Sequence, residues 1–192
     1  MKVFIQSIVA QILLNPYIFW RGYQAIPPQK SWRIPYVLFF ILELSLFFFG
    51  FTFRNVLPDS VMIAIQYICN TWYIASIYIT LSLLVLEVLR LSNRFFHWFP
   101  GWMTGHWKQT KLTLFFLIIA IVTGLMFHAY HVVAYPIVKD VYVTLPKGSS
   151  ERDSMTIVMM SDLHIGEMIG KELVQRYVKM SNEQHPDMVV LV

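Results

Sequence analysis

The sequence predicts a four-span α-helical membrane region followed by the first β-α-β unit of an α/β domain. Three observations predict it: long unbroken apolar runs, a change in the sign of the charge along the chain, and a change of hydrophobic pattern after Pro136. The 192 residues are 57% hydrophobic and 16% aromatic, with only 14% Asp, Glu, Lys and Arg. Soluble domains carry about 45–50% apolar and roughly 25% charged residues, so a soluble, disordered or collagen-like chain is excluded. A single cysteine, Cys69, also excludes an intrachain disulfide scaffold.

A helix needs roughly 20 mostly apolar residues to cross about 30 Å of hydrocarbon, because each backbone polar group must be satisfied within the segment. Four stretches reach or approach that length: Val3–Trp20, Ile34–Phe53, Val61–Leu89 and Leu112–Tyr135. Asn15-Pro16 is expected to interrupt the first, which leaves a signal peptide as the alternative there. Residues 1–135 thus form the membrane region. They carry a net charge of +6 against −2 for residues 136–192. Basic residues beside aromatic, apolar runs suit anionic lipid and not nucleic acid.

Cytoplasmic loops retain the Lys and Arg excess of a membrane protein. The first loop holds Arg21, Lys30 and Arg33 and the third Arg90, Arg94, Lys108 and Lys111, while the second sets Arg54 against Asp59. Loops one and three are therefore expected in the cytoplasm, which puts both termini, and everything after Tyr135, outside the cytoplasmic membrane. Loop three also carries Phe95, Phe96, Trp98, Phe99, Trp102 and Trp107, the aromatic composition of a segment anchored at headgroup depth.

Four ionisable positions stand inside the spans. Glu87 has Arg90 and Arg94 at helical spacing and is expected to be neutralised by them. Glu43 lies mid-span, where a carboxylate is by default a functional hypothesis. His128 and His131, three apart on the last span, could join it to hold a metal or haem, which would make the chain a membrane binding module. The simpler reading leaves Glu43 protonated or hydrogen-bonded within the bundle and the histidines at the outer surface. A purely structural anchor is the remaining alternative.

After Pro136 the runs shorten. Val141, Val143 and Leu145 alternate with Tyr142 and Thr144, as in a half-exposed strand, and Pro146–Ser150 supplies turn residues. Met155–Met160 reads as a strand buried on both faces. Leu173, Val174, Tyr177, Val178 and Met180 follow at amphipathic helical spacing, and Pro186-Asp187 opens a third apolar strand, Met188–Val192.

Between the second strand and the helix stands Ser161-Asp162-Leu163-His164-Ile165-Gly166. Asp162 and His164 project to one side if the strand conformation persists through them. Carboxylate oxygen with imidazole nitrogen suits a borderline divalent metal such as manganese, iron or zinc, and Gly166 allows a tight turn away from it. Ser161 has no Gly-x-Ser-x-Gly turn around it and is expected to cap local backbone, and His185 reads as an exposed loop residue. No phosphate-binding glycine loop or Cys-x-x-Cys is present.

The order strand, Ser-Asp-Leu-His-Ile-Gly, helix, Pro-Asp, strand resembles the opening of the calcineurin-like metallophosphoesterases, in their membrane-anchored bacterial branch, over roughly Lys139–Val192. The resemblance implies an α/β metallophosphoesterase sandwich beginning at residue 136, with Asp162 and His164 as metal ligands of the first of two divalent ions. It also implies hydrolysis of a phosphomonoester or phosphodiester, with an envelope or lipid-linked phosphoester as the preferred substrate. The bridging Gly-Asp, the Gly-Asn-His segment and the Gly-His-x-His segment of that family do not occur in these residues. Asp187 precedes its strand and does not replace the bridge. Two ligands do not fix a catalytic ion, so the 192 residues are expected to be an incomplete, inactive N-terminal portion of a longer enzyme.

Overall fold

A computed structural model describes residues 2–144, 153–161, 163 and 170–192, with the backbone alone for 2–7 and 10. In chain order the elements are α1 (Lys2–Ala25), α2 (Lys30–Thr52), α3 (Asp59–Phe96), α4 (Gly101–Gly105), α5 (Trp107–Ala134), β1 (Ile157–Met160), α6 (Lys171–Asn182) and β2 (Met188–Leu191). The chain divides into two units, Met1–His128 and Ala129–Val192.

Among the described residues three helices, α2, α3 and α5, are long and apolar enough to cross a bilayer. Their 23, 38 and 28 residues correspond to about 35, 57 and 42 Å of helix axis. Helix α1, with 24 residues, is continuous through Pro16, so Asn15-Pro16 does not interrupt it. A proline inside a helix removes one backbone donor, and neighbouring helices and polar side chains make that tolerable in an apolar bundle. Here Asn15, the residue before it, is held by side chains of α1, α2 and α3.

In the first unit α1, α2 and α3 pack against one another. Aromatic rings fill the junction. Phe19 meets Tyr36 and Phe40 at ring-centroid distances of 5.6 and 5.3 Å, and Trp72 meets Phe39 and Phe40 at 4.9 and 5.6 Å. The Tyr36 hydroxyl donates to the Ile18 and Phe19 carbonyls, 3.1 Å each. Gly22 makes that reach possible, since a Cβ there would run into the Tyr36 ring and hydroxyl. Gly50 does the same between α2 and α3: its Cβ would lie 2.7 Å from Ile65 Cγ2.

Glu87 pairs with Arg21 of α1 and not with the two arginines that follow it. A cation from a packed neighbouring helix replaces the local partners, and the Arg90 guanidinium instead lies over the Trp107 ring, 5.9 Å from its centroid. Helix α3 continues beyond the apolar run to Phe96. It stops where His97 takes a left-handed conformation, φ 50°, with its N–H on the Asn93 carbonyl at 2.9 Å.

In the second unit β1 and β2 pair in parallel, with Ile157 opposite Met188 and Met160 opposite Leu191. Helix α6 connects them, so the expected β-α-β unit is present. On α6, Leu173, Val174, Tyr177 and Met180 are half-buried, as the amphipathic spacing requires. The Tyr177 hydroxyl donates to the Val133 carbonyl at 3.1 Å, and Arg176 donates to the Ala134 carbonyl while covering the Tyr135 ring. Carbonyls of a last helical turn have no partner within the helix, and cationic or hydroxyl donors satisfy them.

Two expectations change here. Residues Val141–Thr144 form no strand; Tyr142 is 93% exposed. Alternation supplies two faces but not a partner, and among the described residues β1 and β2 pair only with each other. Nor is β1 buried on both faces: its residues alternate between half-buried and exposed, because two strands and one helix leave part of each face uncovered.

Candidate functional site

Parallel strands joined by a crossover helix place their carboxyl ends at one edge of the sheet, and open α/β sheets bind ligands at that edge. The chain leaves β1 there, at Met160, and passes through Ser161 and Leu163 towards α6, which starts at Lys171. The expected ligands Asp162 and His164, with Gly166, lie outside the described residues. Their place in the sequence assigns them to the connection that follows the carboxyl end of β1.

Asp187 occupies the opposite end. Its Oδ2 accepts from the Thr156 N–H at 2.9 Å, and its own N–H donates to the Thr156 carbonyl at 2.9 Å. This clamp closes the start of the two-stranded ladder. The Val192 N–H on the Met160 carbonyl, 3.0 Å, extends the ladder at the other end. His185 is exposed, as expected, with a left-handed φ of 47°.

A carboxylate and an imidazole are a fitting pair of donors for a divalent cation, but three or more protein donors are normal for a catalytic ion. Among the described residues no group of three His, Cys, Asp or Glu side chains converges to complete such a set.

The intramembrane alternative does not assemble either. Glu43, 4% exposed, faces α1: it accepts from Gln11 Nε2 at 2.7 Å and from Asn15 Nδ2 at 2.9 Å. Asn15 Oδ1 in turn accepts from Trp72 Nε1 at 3.0 Å, and Asn15 also bonds to Gln11. The carboxylate is satisfied by a network that ties three helices. His128 and His131 are exposed, and the ring of the second lies tilted against Tyr135 with centroids 4.7 Å apart. Sequence reasoning singled out Glu43 but missed its partners. Their signal was Gln11 and Asn15 four residues apart, which places two amides on one face of an otherwise apolar helix.

Long apolar helices followed by a parallel β-α-β unit define a membrane protein that continues into a partial α/β unit. Curated relatives agree. The chain is 28% identical over 199 aligned positions to a zebrafish (Danio rerio) transmembrane protein with a metallophosphoesterase domain, covering 98% of this chain and 44% of that protein. It is 24% identical over 158 positions to a Caenorhabditis elegans protein provisionally named a metallophosphoesterase, covering 81% of this chain and 32% of that one. The chain thus spans less than half the length of these relatives. No known family profile matches it, and no solved structure matches it. The resemblance to metallophosphoesterases is borne out by these names, although both relatives are animal proteins and not members of a bacterial branch.

Proposed function

We propose that residues 1–135 anchor, and residues 136–192 begin, a dinuclear-metal phosphoesterase that hydrolyses a phosphomonoester or phosphodiester outside the cytoplasmic membrane. The preferred substrate is a lipid-linked or envelope phosphoester. The observation that carries this reading is the parallel β1–α6–β2 crossover. It supports the reading because Asp-x-His follows β1 in the sequence, and α/β proteins bind ligands beyond the carboxyl ends of their strands.

Asp162 and His164 hold the first ion, as carboxylate oxygen and imidazole nitrogen, and neither exchanges a proton with the substrate. When bound, a pair of divalent ions supplies Lewis acidity, polarising a phosphate oxygen and acidifying a water. In this reading α1 is a fourth crossing, and the basic loops one and three hold the cytoplasmic side. The anchor keeps the site close to membrane-borne substrate and raises its effective concentration.

The test uses the full-length protein with bis(p-nitrophenyl) phosphate and added manganese. Loss of a group that merely orients a metal ligand lowers activity or affinity by about 10–100-fold. Asp162→Asn and His164→Ala remove ligands, so each should lose more than about 100-fold, with membrane insertion unchanged. Undiminished turnover in both variants refutes the proposal.

A further inference from the structure

Between α5 and the trio α1–α3 lies a cavity of about 1170 Å³, at or above the upper end of ordinary ligand pockets, roughly 300–1,000 Å³. Helix α5 meets the trio through Phe115 against Tyr36 and Phe116 against Trp32, with ring centroids 6.1 and 6.0 Å apart. Most of the wall is aliphatic or aromatic, including Phe39, Phe40, Leu83, Leu114, Val122 and Met126. Arg21, Glu87, Arg90 and Lys111 also line it. All four stand towards the helix ends that join loops one and three.

The charges at that end do not balance. Arg21 is paired with Glu87, and Arg90, which is exposed, lies over the face of Trp107 with no ion-pair partner among the described residues. Lys111, half-buried, has no ion-pair partner among the described residues. Two uncompensated cations therefore line a mostly apolar chamber. A water-soluble anion would answer the charge but leave the hydrocarbon wall unused, and a neutral lipid would do the reverse.

We propose that this cavity is a binding site for an anionic diacyl phospholipid. Its phosphate lies between Arg90 and Lys111, with Arg21 nearby, and its acyl chains lie along Phe39, Phe40, Leu114 and Val122. Trp98 and Trp107, which also line the cavity, suit the headgroup level. The site is formed by the helical unit alone and is independent of the phosphoesterase reading.

The experiment is native mass spectrometry of the full chain, delipidated in detergent and titrated with palmitoyl-oleoyl phosphatidylglycerol or phosphatidylcholine. One phosphatidylglycerol should bind at least about tenfold more tightly than phosphatidylcholine, the scale of one charge-assisted hydrogen bond. Arg90→Gln with Lys111→Gln should erase that preference, and Arg90→Lys with Lys111→Arg should keep it. Ala75→Phe with Thr123→Phe, which adds bulk at two lining positions, should weaken both lipids. If this variant loses helical circular dichroism, the charge variants decide. No preference in the wild-type chain, a preference unmoved by the Gln variants, or displacement of the lipid by equal concentrations of glycerol phosphate overturns the proposal.

Discussion

Replacing Glu43 by alanine removes the acceptor of two buried interhelical hydrogen bonds, from Gln11 Nε2 at 2.7 Å and from Asn15 Nδ2 at 2.9 Å. Hydrogen bonds between membrane helices average about 0.6 kcal/mol and reach roughly 1.7, so the pair accounts for about 1–3 kcal/mol. The void left by the side chain adds to the loss. Glu43→Gln keeps the shape and one carbonyl acceptor, and it should lose about 1 kcal/mol or less. The assay is unfolding by sodium dodecyl sulfate of protein in mixed micelles, followed by tryptophan fluorescence. Trp72 reports the network directly, because its Nε1–H donates to Asn15. The alanine variant should unfold at clearly lower detergent fraction than the glutamine variant. Equal midpoints for the two would refute the argument that the acceptor, and not the volume, ties α1 to α2.

Two other outcomes follow from features outside that network. Asp187→Ala deletes the side-chain bond to the Thr156 N–H, with a net loss of about 0.5–1.5 kcal/mol. Amide hydrogen exchange at Thr156 should quicken, whereas Asp187→Asn, which keeps an acceptor, should stay near the wild type; unchanged exchange in the alanine variant contradicts the clamp. In a chain with Cys69→Ala, cysteines placed at Lys108 and Val138 should be labelled by an impermeant maleimide from opposite sides of the membrane, Val138 from outside. Labelling of both from one side contradicts the four-crossing topology.

Helix positions were legible because a membrane span is set by composition and length, which need no knowledge of partners. Lys30–Thr52 and Trp107–Ala134 overlap almost the whole of the runs Ile34–Phe53 and Leu112–Tyr135 that announce them. Connections were less legible. The run Phe95–Trp107 reads as one aromatic segment, yet α3 extends into it as far as Phe96 and Gly101–Gly105 forms a helical turn of its own. Pairings over long separation were not legible at all. Glu43 is bonded to residues 32 and 28 positions away, and Glu87 finds Arg21 on another helix although Arg90 stands three residues on. The β-α-β unit was legible since each element carries its own periodicity, whereas Val141–Thr144 has a strand's alternation without a strand's neighbour. The proposed metal ligands Asp162 and His164 rest on the chemistry and spacing of Ser161–Gly166 in the sequence.

Helix α3 has 38 residues, about 57 Å of rod in a hydrocarbon slab about 30 Å thick. A rod so much longer than its slab must lean, stand proud, or do both, and the balance shifts with thickness. Its carboxyl-terminal turns carry Arg90 and Arg94 and end at the left-handed His97. In a thinner sheet of lipid those turns protrude further, and in a thicker one they draw back towards the headgroups. The chain therefore contains a ruler whose marked end rises or sinks with the membrane that houses it.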